Sequence, residues 1–350
     1  MFQKLIDWSL TNYSDLPWRK KRSVYTTLVS EIMLQQTTVK TVLSHYDRFL
    51  KTYPTLKMIA LASEEEVLAN WKGLGYYRRA RSLRNASVEV FEKFSGKIPE
   101  SYDQLLTIKG IGPYTANALL SIGHDQMALA IDGNLERVIS RLYQISQPKG
   151  LKLQREIAER FSNEEIFPAR ENLSGRELNE ALMDLGREIC LPKKPKCDCC
   201  PLTKSCQAFA SKKQEHYPVV TMRKKEKSFQ LDLLRVIVEE GDQILAYQKK
   251  KGEWLEGQWE IPTFTLYSED EKFTGYPSLE IKNENLQTFK TAITKYRINN
   301  KVYKCSKEEF FSLTGVKNCG KYQLISRKKH LSTGSEKAFA CFKSELSSSF

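Results

Sequence analysis

Four cysteines, Cys190, Cys197, Cys200 and Cys206, are separated by six, two and five residues. Four thiolates this close can wrap one compact soft-metal centre, either a 4Fe–4S cluster or a tetrahedral zinc. A zinc ribbon usually presents two Cys-x-x-Cys knuckles, and only one clear pair is present here, which favours the cluster. Cys199 sits beside Cys200 and competes with it for the ligand position. Lys193, Lys194, Lys196 and Lys204 surround the cysteines, so the same loop can touch phosphates.

Two carboxylates are placed where acid–base work is feasible. Glu31 follows Val24 by seven residues in the helix-period run Val24–Leu34, which puts it nearly above Val24 at the edge of the apolar face. A carboxyl pushed toward a core has a raised pKa, as a general acid needs. Spacing alone fits a solvated helix-edge glutamate better. Asp132, in Ile131-Asp132-Gly133-Asn134, lies just before a helix beginning near Leu135. An N-cap is its plain structural role. The helix dipole would also keep such a carboxylate ionised beside a developing cation. Between the two carboxylates, the stretch 101–117 runs a short helix into Gly110-Ile111-Gly112, with Pro113 opening the next helix. Glycines permit positive φ and bare backbone N–H groups at a helix start, which suits a phosphate. A plain interhelical turn would look the same.

The elements that must position these groups are mostly helical up to about residue 209. Helix-period runs recur at Val24–Leu34, Val39–Leu50, Glu64–Trp71, Arg78–Phe94, Thr115–Ile122, Leu135–Ile145, Leu153–Phe161 and Leu178–Ile189. A lysine-rich stretch, 210–228, follows with Lys212, Lys213, Arg223, Lys224, Lys225 and Lys227, and reads as an exposed linker. Beyond it Phe229–Glu239 and Gln243–Gln248 flank Glu240-Gly241-Asp242, a hairpin signature that opens a β-containing domain over 229–345.

The chain has 350 residues, 41% of them hydrophobic, which suits two domains with real cores and excludes global disorder. A net charge of +13 suits a polyanionic partner. Met1–Leu10 holds Asp7 early and lacks a signal-peptide pattern, and no long apolar run spans a bilayer, so a cytoplasmic protein with no membrane role is expected. Five of the eight cysteines cluster between 190 and 206, with Cys305, Cys319 and Cys341 isolated, a distribution that fits a metal site better than disulfides.

The ordered set Pro17-Trp18-Arg19, Ser30-Glu31-Ile32-Met33-Leu34-Gln35-Gln36-Thr37, Gly73-Leu74-Gly75-Tyr76-Tyr77, the hairpin, Asp132-Gly133-Asn134 and the four cysteines resembles MutY-type adenine DNA glycosylases of the helix–hairpin–helix superfamily. The likeness covers about the first 206 residues. It implies a multidomain protein with an all-α glycosylase core over 1–209. A six-helix module spans about 23–133, and a module carrying one 4Fe–4S cluster on Cys190, Cys197, Cys200 and Cys206 combines 1–22 with 134–206. An α+β Nudix-like domain follows at 229–345. By the same resemblance Glu31 protonates the adenine leaving group at N7, and Asp132 stabilises the oxocarbenium ion or attacks it. Tyr114 and Asn134 assist them. Arg19, Leu34 and Glu180 match positions near the adenine pocket. Gln36 and Tyr76 match residues that enter the duplex, and Gly110 and Gly112 the phosphate-binding hairpin. The implied activity is monofunctional base excision repair by a monomer on double-stranded DNA holding an adenine:8-oxoguanine or adenine:guanine mispair. Chemistry agrees, since a stacked base must be flipped out before attack, and cleaving an N-glycosidic bond calls for one acid and one carboxylate.

The segment Lys249–Pro262 is similar to the family's Gly-Leu…Trp-Glu-Phe-Pro stretch, while the glutamate-rich box of active Nudix hydrolases is missing. The domain is therefore expected to read 8-oxoguanine without doing chemistry. In place of the family's Phe-Ser-His loop stands Lys329-His330-Leu331-Ser332-Thr333-Gly334, with Ser332 retained as the candidate reader and Thr333 where histidine is expected. The hairpin reads Ile108-Lys109-Gly110-Ile111-Gly112 instead of Leu-Pro-Gly-Val-Gly. Two rival readings are an endonuclease III-type pyrimidine glycosylase/lyase and a non-catalytic lesion binder. The first needs a lysine two residues after the second hairpin glycine, where Tyr114 stands. The second would be expected to lack Glu31 or Asp132.

Overall fold

A computed structural model of the chain describes residues 2–168, 172–220, 227–279, 286–315, 321–327, 329 and 331–343. Arg223, Lys224, Lys225, Cys319 and His330 lie outside the described residues. The chain divides into a helical unit, 1–222, and a sheet-containing unit, 223–350.

In the helical unit the period-3.6 runs fold as helices with locally legible ends. α1 spans Phe2–Tyr13, α2 Pro17–Lys20, α3 Val24–Leu34, α4 Val39–Thr52, α5 Leu56–Leu61, α6 Glu64–Asn70 and α7 Arg78–Lys93. Then come α8 Tyr102–Leu106, α9 Pro113–Ala118, α10 Gly133–Leu142, α11 Leu151–Ser162, α12 Gly175–Glu188 and α13 Gln207–Ala210. Ser23 with Thr26, and Ser63 with Glu66, close reciprocal capping boxes at α3 and α6. α1, α2 and α5 escaped the periodicity reading. α2 and α5 have four and six residues, too short to show a period. The run expected over Thr115–Ile122 ends as α9 and passes into a π turn, Leu119–Gly123, where the His124 N–H reaches the Leu119 carbonyl at 2.9 Å.

Two large cores hold this unit, beside a small cluster of Ala118, Ile122 and Ala130. One joins α3, α4, α5, α7 and the α8–α9 hairpin around Leu28, Phe49, Trp71 and Leu83. The other joins α1, α10, α11 and α12 around Leu5, Leu135, Ile157 and Leu182. The stretch read as an exposed linker from Ser211 is instead attached to the helical unit as far as Val219. The Val219 carbonyl accepts from the Lys149 N–H at 2.8 Å, and the Tyr217 carbonyl from Arg141 Nε at 2.9 Å.

In the second unit β1 (Phe229–Glu240) and β2 (Gln243–Gln248) form the expected hairpin, with Gly241 at φ +56° in the turn. β3 (Trp259–Glu260), β4 (Thr263–Ser268), β5 (Gln287–Ile293), β6 (Tyr296–Cys305) and β7 (Gln323–Ser326) complete a mixed sheet. β1 pairs β6 in parallel and β2 and β4 antiparallel. It is central, and its residues Leu233–Val238 are buried without alternation because both faces are covered. α14 (Lys307–Thr314) puts Phe310 with Leu234, Val236 and Val238. α15 (Thr333–Lys343) puts Ala338 with Ile237. Successive strand residues face opposite sides, so the two helices cover opposite faces.

Candidate functional site

α3 carries Glu31 in a stretch, Thr27–Met33, that is buried throughout. Glu31 is 5% exposed, which overturns the solvated helix-edge reading. Tyr114, the second residue of α9, donates its hydroxyl to Glu31 Oε2 at 2.6 Å. Burial pushes the Glu31 carboxyl up to about 7, against the opposing Tyr114 hydrogen bond, and the negative charges of Asp132 and Glu180 push the same way. A carboxyl poised there holds a proton near neutral pH and can release it.

Asp132 is the N-cap of α10, which therefore starts at Gly133 and not near Leu135. Its Oδ1 accepts from the Asn134 and Leu135 N–H groups at 2.9 and 2.8 Å, and Oδ2 from Asn134 Nδ2 at 3.0 Å. The helix dipole was expected to keep this carboxylate readily ionised. The pKa is instead raised, because burial outweighs the two backbone donors. Capping and chemistry are not exclusive, since the cap aims the carboxylate into the same cleft as Glu31.

That cleft, about 860 Å³, is lined by Arg19, Glu31, Leu34, Gln36, Gly110, Gly112, Tyr114, Asp132, Asn134 and Glu180 among others. It brings together ten residues whose outermost members, Arg19 and Glu180, are 161 positions apart in the chain. On its wall Glu180 takes a bidentate pair from Arg22 at 2.7 and 3.0 Å and an ion pair from Arg19 Nε at 3.4 Å. Arg19 also holds Asp184 at 2.8 Å, and Ser9 donates to the same Oδ2 at 2.6 Å. The sequence reading missed Arg22 and Asp184. Asp184 lies four residues after Glu180 on α12, so a search along one helix face would have found it. Arg22 carries no local signal, because its partner is 158 residues away.

Tyr76 does not line the cleft. It stands 63% exposed in the loop before α7, in the left-handed region at φ +46°. Gln36 shares that conformation, at φ +54°. In the hairpin, only Gly110 has positive φ (+100°), and a Cβ there would come within 2.8 Å of the Ser82 carbonyl. Gly112 is extended and meets nothing, so positive φ explains the first glycine and not the second.

Cys190, Cys197, Cys200 and Cys206 line one apolar pocket between α10, α12 and the loop that follows. Cys199 points elsewhere: it is exposed, and its thiol reaches the Lys196 carbonyl. Burial pushes Cys200 up to about 11 and raises Cys197 and Cys206. Arg141 donates to Cys190 Sγ at 3.3 Å. One turn earlier on α10, Arg137 holds the Cys190 carbonyl at 2.6 Å and Asn134 Oδ1 at 2.9 Å. Four thiols line this pocket and the fifth is turned away, a donor set whose chemistry suits a soft metal, while among the described residues no three of these side chains stand close enough together to hold one ion.

Ser332 requires a correction. It is 2% exposed and caps α15, with its hydroxyl 3.2 Å from Glu260 Oε1 and 3.0 Å from Ser335 Oγ. Glu260 is fully buried against Arg235 at 2.9 Å and Tyr276 at 2.8 Å. The serine is consumed by this network and presents no hydroxyl to a base. The Trp259-Glu260-Ile261-Pro262 motif thus anchors the core of the second unit.

Residues 29–163 match the family described as HhH-GPD superfamily base excision DNA repair protein. An adenine DNA glycosylase of Buchnera aphidicola (subsp. Acyrthosiphon pisum) is 36% identical over 225 residues, covering 63% of this chain and 63% of that protein. An adenine DNA glycosylase of Arabidopsis thaliana is 32% identical over 311 residues, covering 77% of this chain and 48% of that protein. With the helical unit ending at 222 of 350 residues, the second match reaches into the sheet-containing unit. A solved thermostable thymine-DNA glycosylase superposes with a TM-score of 0.51 at 27% identity, over 60% of this chain and 95% of that one. The chain spans less than two thirds of the length of both adenine glycosylases.

Proposed function

We propose that the chain is a helix–hairpin–helix base excision glycosylase of the MutY-type branch and acts as a monofunctional adenine DNA glycosylase. The observation that carries the reading is Glu31, buried, held by Tyr114 and raised to about 7, in one cleft with Asp132. Adenine is flipped out of the duplex into that cleft. Glu31 gives its proton to N7, so the electrons of the breaking C1′–N9 bond pass to a neutral leaving base. The Asp132 carboxylate stabilises or captures the oxocarbenium carbon, water completes the exchange, and an abasic site remains on an intact strand. Tyr114 fixes Glu31, Asn134 fixes Asp132, and Arg19 and Arg22 hold Glu180 in the wall.

A lyase would need an amine for a Schiff base. No lysine is among the described residues lining the cleft, and Tyr114 occupies the expected position. We assign one 4Fe–4S cluster to Cys190, Cys197, Cys200 and Cys206. When bound, the cluster would be ligated by these four thiolates, and that cross-link would hold the loop bearing the surrounding lysines. The second unit is proposed as Nudix-like and as a reader of the base opposite adenine, without Ser332.

The test is single-turnover reaction with duplexes differing only at one pair: adenine:8-oxoguanine, adenine:guanine, adenine:thymine, and an oxidised pyrimidine. Free adenine from the first two, with strand scission only after alkali, is expected. Release of the pyrimidine lesion with scission before alkali overturns the reading in favour of the endonuclease III type.

A further inference from the structure

Arg79, the second residue of α7, is 8% exposed, and among the described residues its hydrogen-bonding partners are carbonyls and one hydroxyl. Its Nη1 donates to the Ile32 carbonyl at 3.1 Å, to that of Met33 at 2.8 Å, and to that of Gln35. Its Nη2 donates to Thr37 Oγ1 at 2.8 Å and to the carbonyls of Leu74 at 3.0 Å and Gly75 at 3.4 Å. The guanidinium carbon lies 5.5 Å from the centre of the Tyr76 ring. One planar cation therefore ties the end of α3 to the loop before α7.

Capping α3 would need only the orphan carbonyls of its last turn. The further partners are more informative. Gln35 and Gly75 are the residues immediately before Gln36 and Tyr76, which both hold left-handed backbone outside glycine. Each held carbonyl belongs to the peptide plane whose nitrogen begins the next residue, so fixing it restrains the φ of Gln36 and of Tyr76. Such conformations persist where surroundings over-determine them. Arg79 is the side chain common to both, with Trp71 Nε1 also donating to the Gly75 carbonyl at 3.1 Å and Thr37 Oγ1 to that of Gln35 at 3.3 Å.

We propose that Arg79 is a positioning residue that presets Gln36 and Tyr76 as one rigid wedge for the opened duplex. The proposal rests on the glycosylase reading for the use of the wedge, and on the geometry alone for its existence. Lysine keeps the charge but offers three donors from one point, and cannot span acceptors on two loops as a planar fork does.

The experiment compares full-length wild type with Arg79→Lys on two substrates. In one, adenine faces 8-oxoguanine. In the other it faces an abasic analogue, where no stacked partner has to be displaced. In parallel, 2-aminopurine beside the mispair reports unstacking in a Glu31→Gln background, and thermal melting reports stability. Adenine release from the paired duplex should fall on the order of 10²-fold, the cost of small misplacement. Release from the abasic-opposed strand should fall at least tenfold less, with a lost 2-aminopurine rise and unchanged affinity. Equal losses on both substrates, or no loss on either, overturn the proposal. Should Arg79→Lys not fold, Thr37→Val removes one tether and the same criteria apply with smaller effects. A wild type that unstacks 2-aminopurine in an Arg79-dependent way but releases no adenine would sink the glycosylase reading and leave the wedge standing.

Discussion

Glu31→Gln keeps the shape of the side chain and the carbonyl that accepts from Tyr114, and removes the ionisable proton. Raising a carboxyl from 4.5 to about 7 corresponds to about 3 kcal/mol at ~1.4 kcal/mol per tenfold change in proton affinity. The folded state holds this proton more tightly than the unfolded chain does. The associated stability is therefore complete below about pH 4.5 and is lost as pH rises through about 7. Glutamine does not share that loss. The variant should match wild type near pH 4.5 and exceed it by up to about 3 kcal/mol near pH 8. In a unit of this size each kcal/mol is roughly 2–4 °C in Tm. Activity moves the other way. Single-turnover adenine release by wild type should fall about tenfold per pH unit above about 7, while the variant is slower by at least ~10²-fold and has lost that limb. Paired melting curves and rate profiles across this range check both halves. A variant that turns over normally, or one whose stability advantage over wild type does not grow from low to high pH, refutes the acid and its burial together.

Asp132→Asn should abolish adenine release and cost less than about 1 kcal/mol in a melt, because asparagine caps a helix about as well as aspartate. A large loss of stability would make capping the main role. Cys199→Ser should leave the iron content of anaerobically purified protein unchanged, and Cys200→Ser should lower it. One zinc and no iron would overturn the cluster assignment. Ser332→Ala strips a hydroxyl from the buried Glu260 network and should destabilise the second unit by about 1–3 kcal/mol. The preference for 8-oxoguanine over guanine should stay unchanged, and a narrowed preference with an unchanged melt would restore Ser332 as a reader.

Short-range chemistry was readable without a structure. The cysteine spacing, the Asp132 cap, the Gly241 hairpin and most helix runs are local, because caps, turns and amphipathic periods are decided within a few residues. The ordered motifs brought a family and candidate roles with them. What periodicity left undecided was every property set by distant chain. Glu31 reads as a helix-edge glutamate until α9 and the π turn after it pack against α3, and burial pushes its pKa up. Arg22 becomes part of the site only through Glu180, and Arg79 looks like one surface arginine among several until it joins two loops. Ser332 looked available as a loop hydroxyl, yet Glu260, 72 residues away, takes it into a core. Desolvation and buried hydrogen bonding depend on what packs above a residue, and sequence neighbours do not specify that.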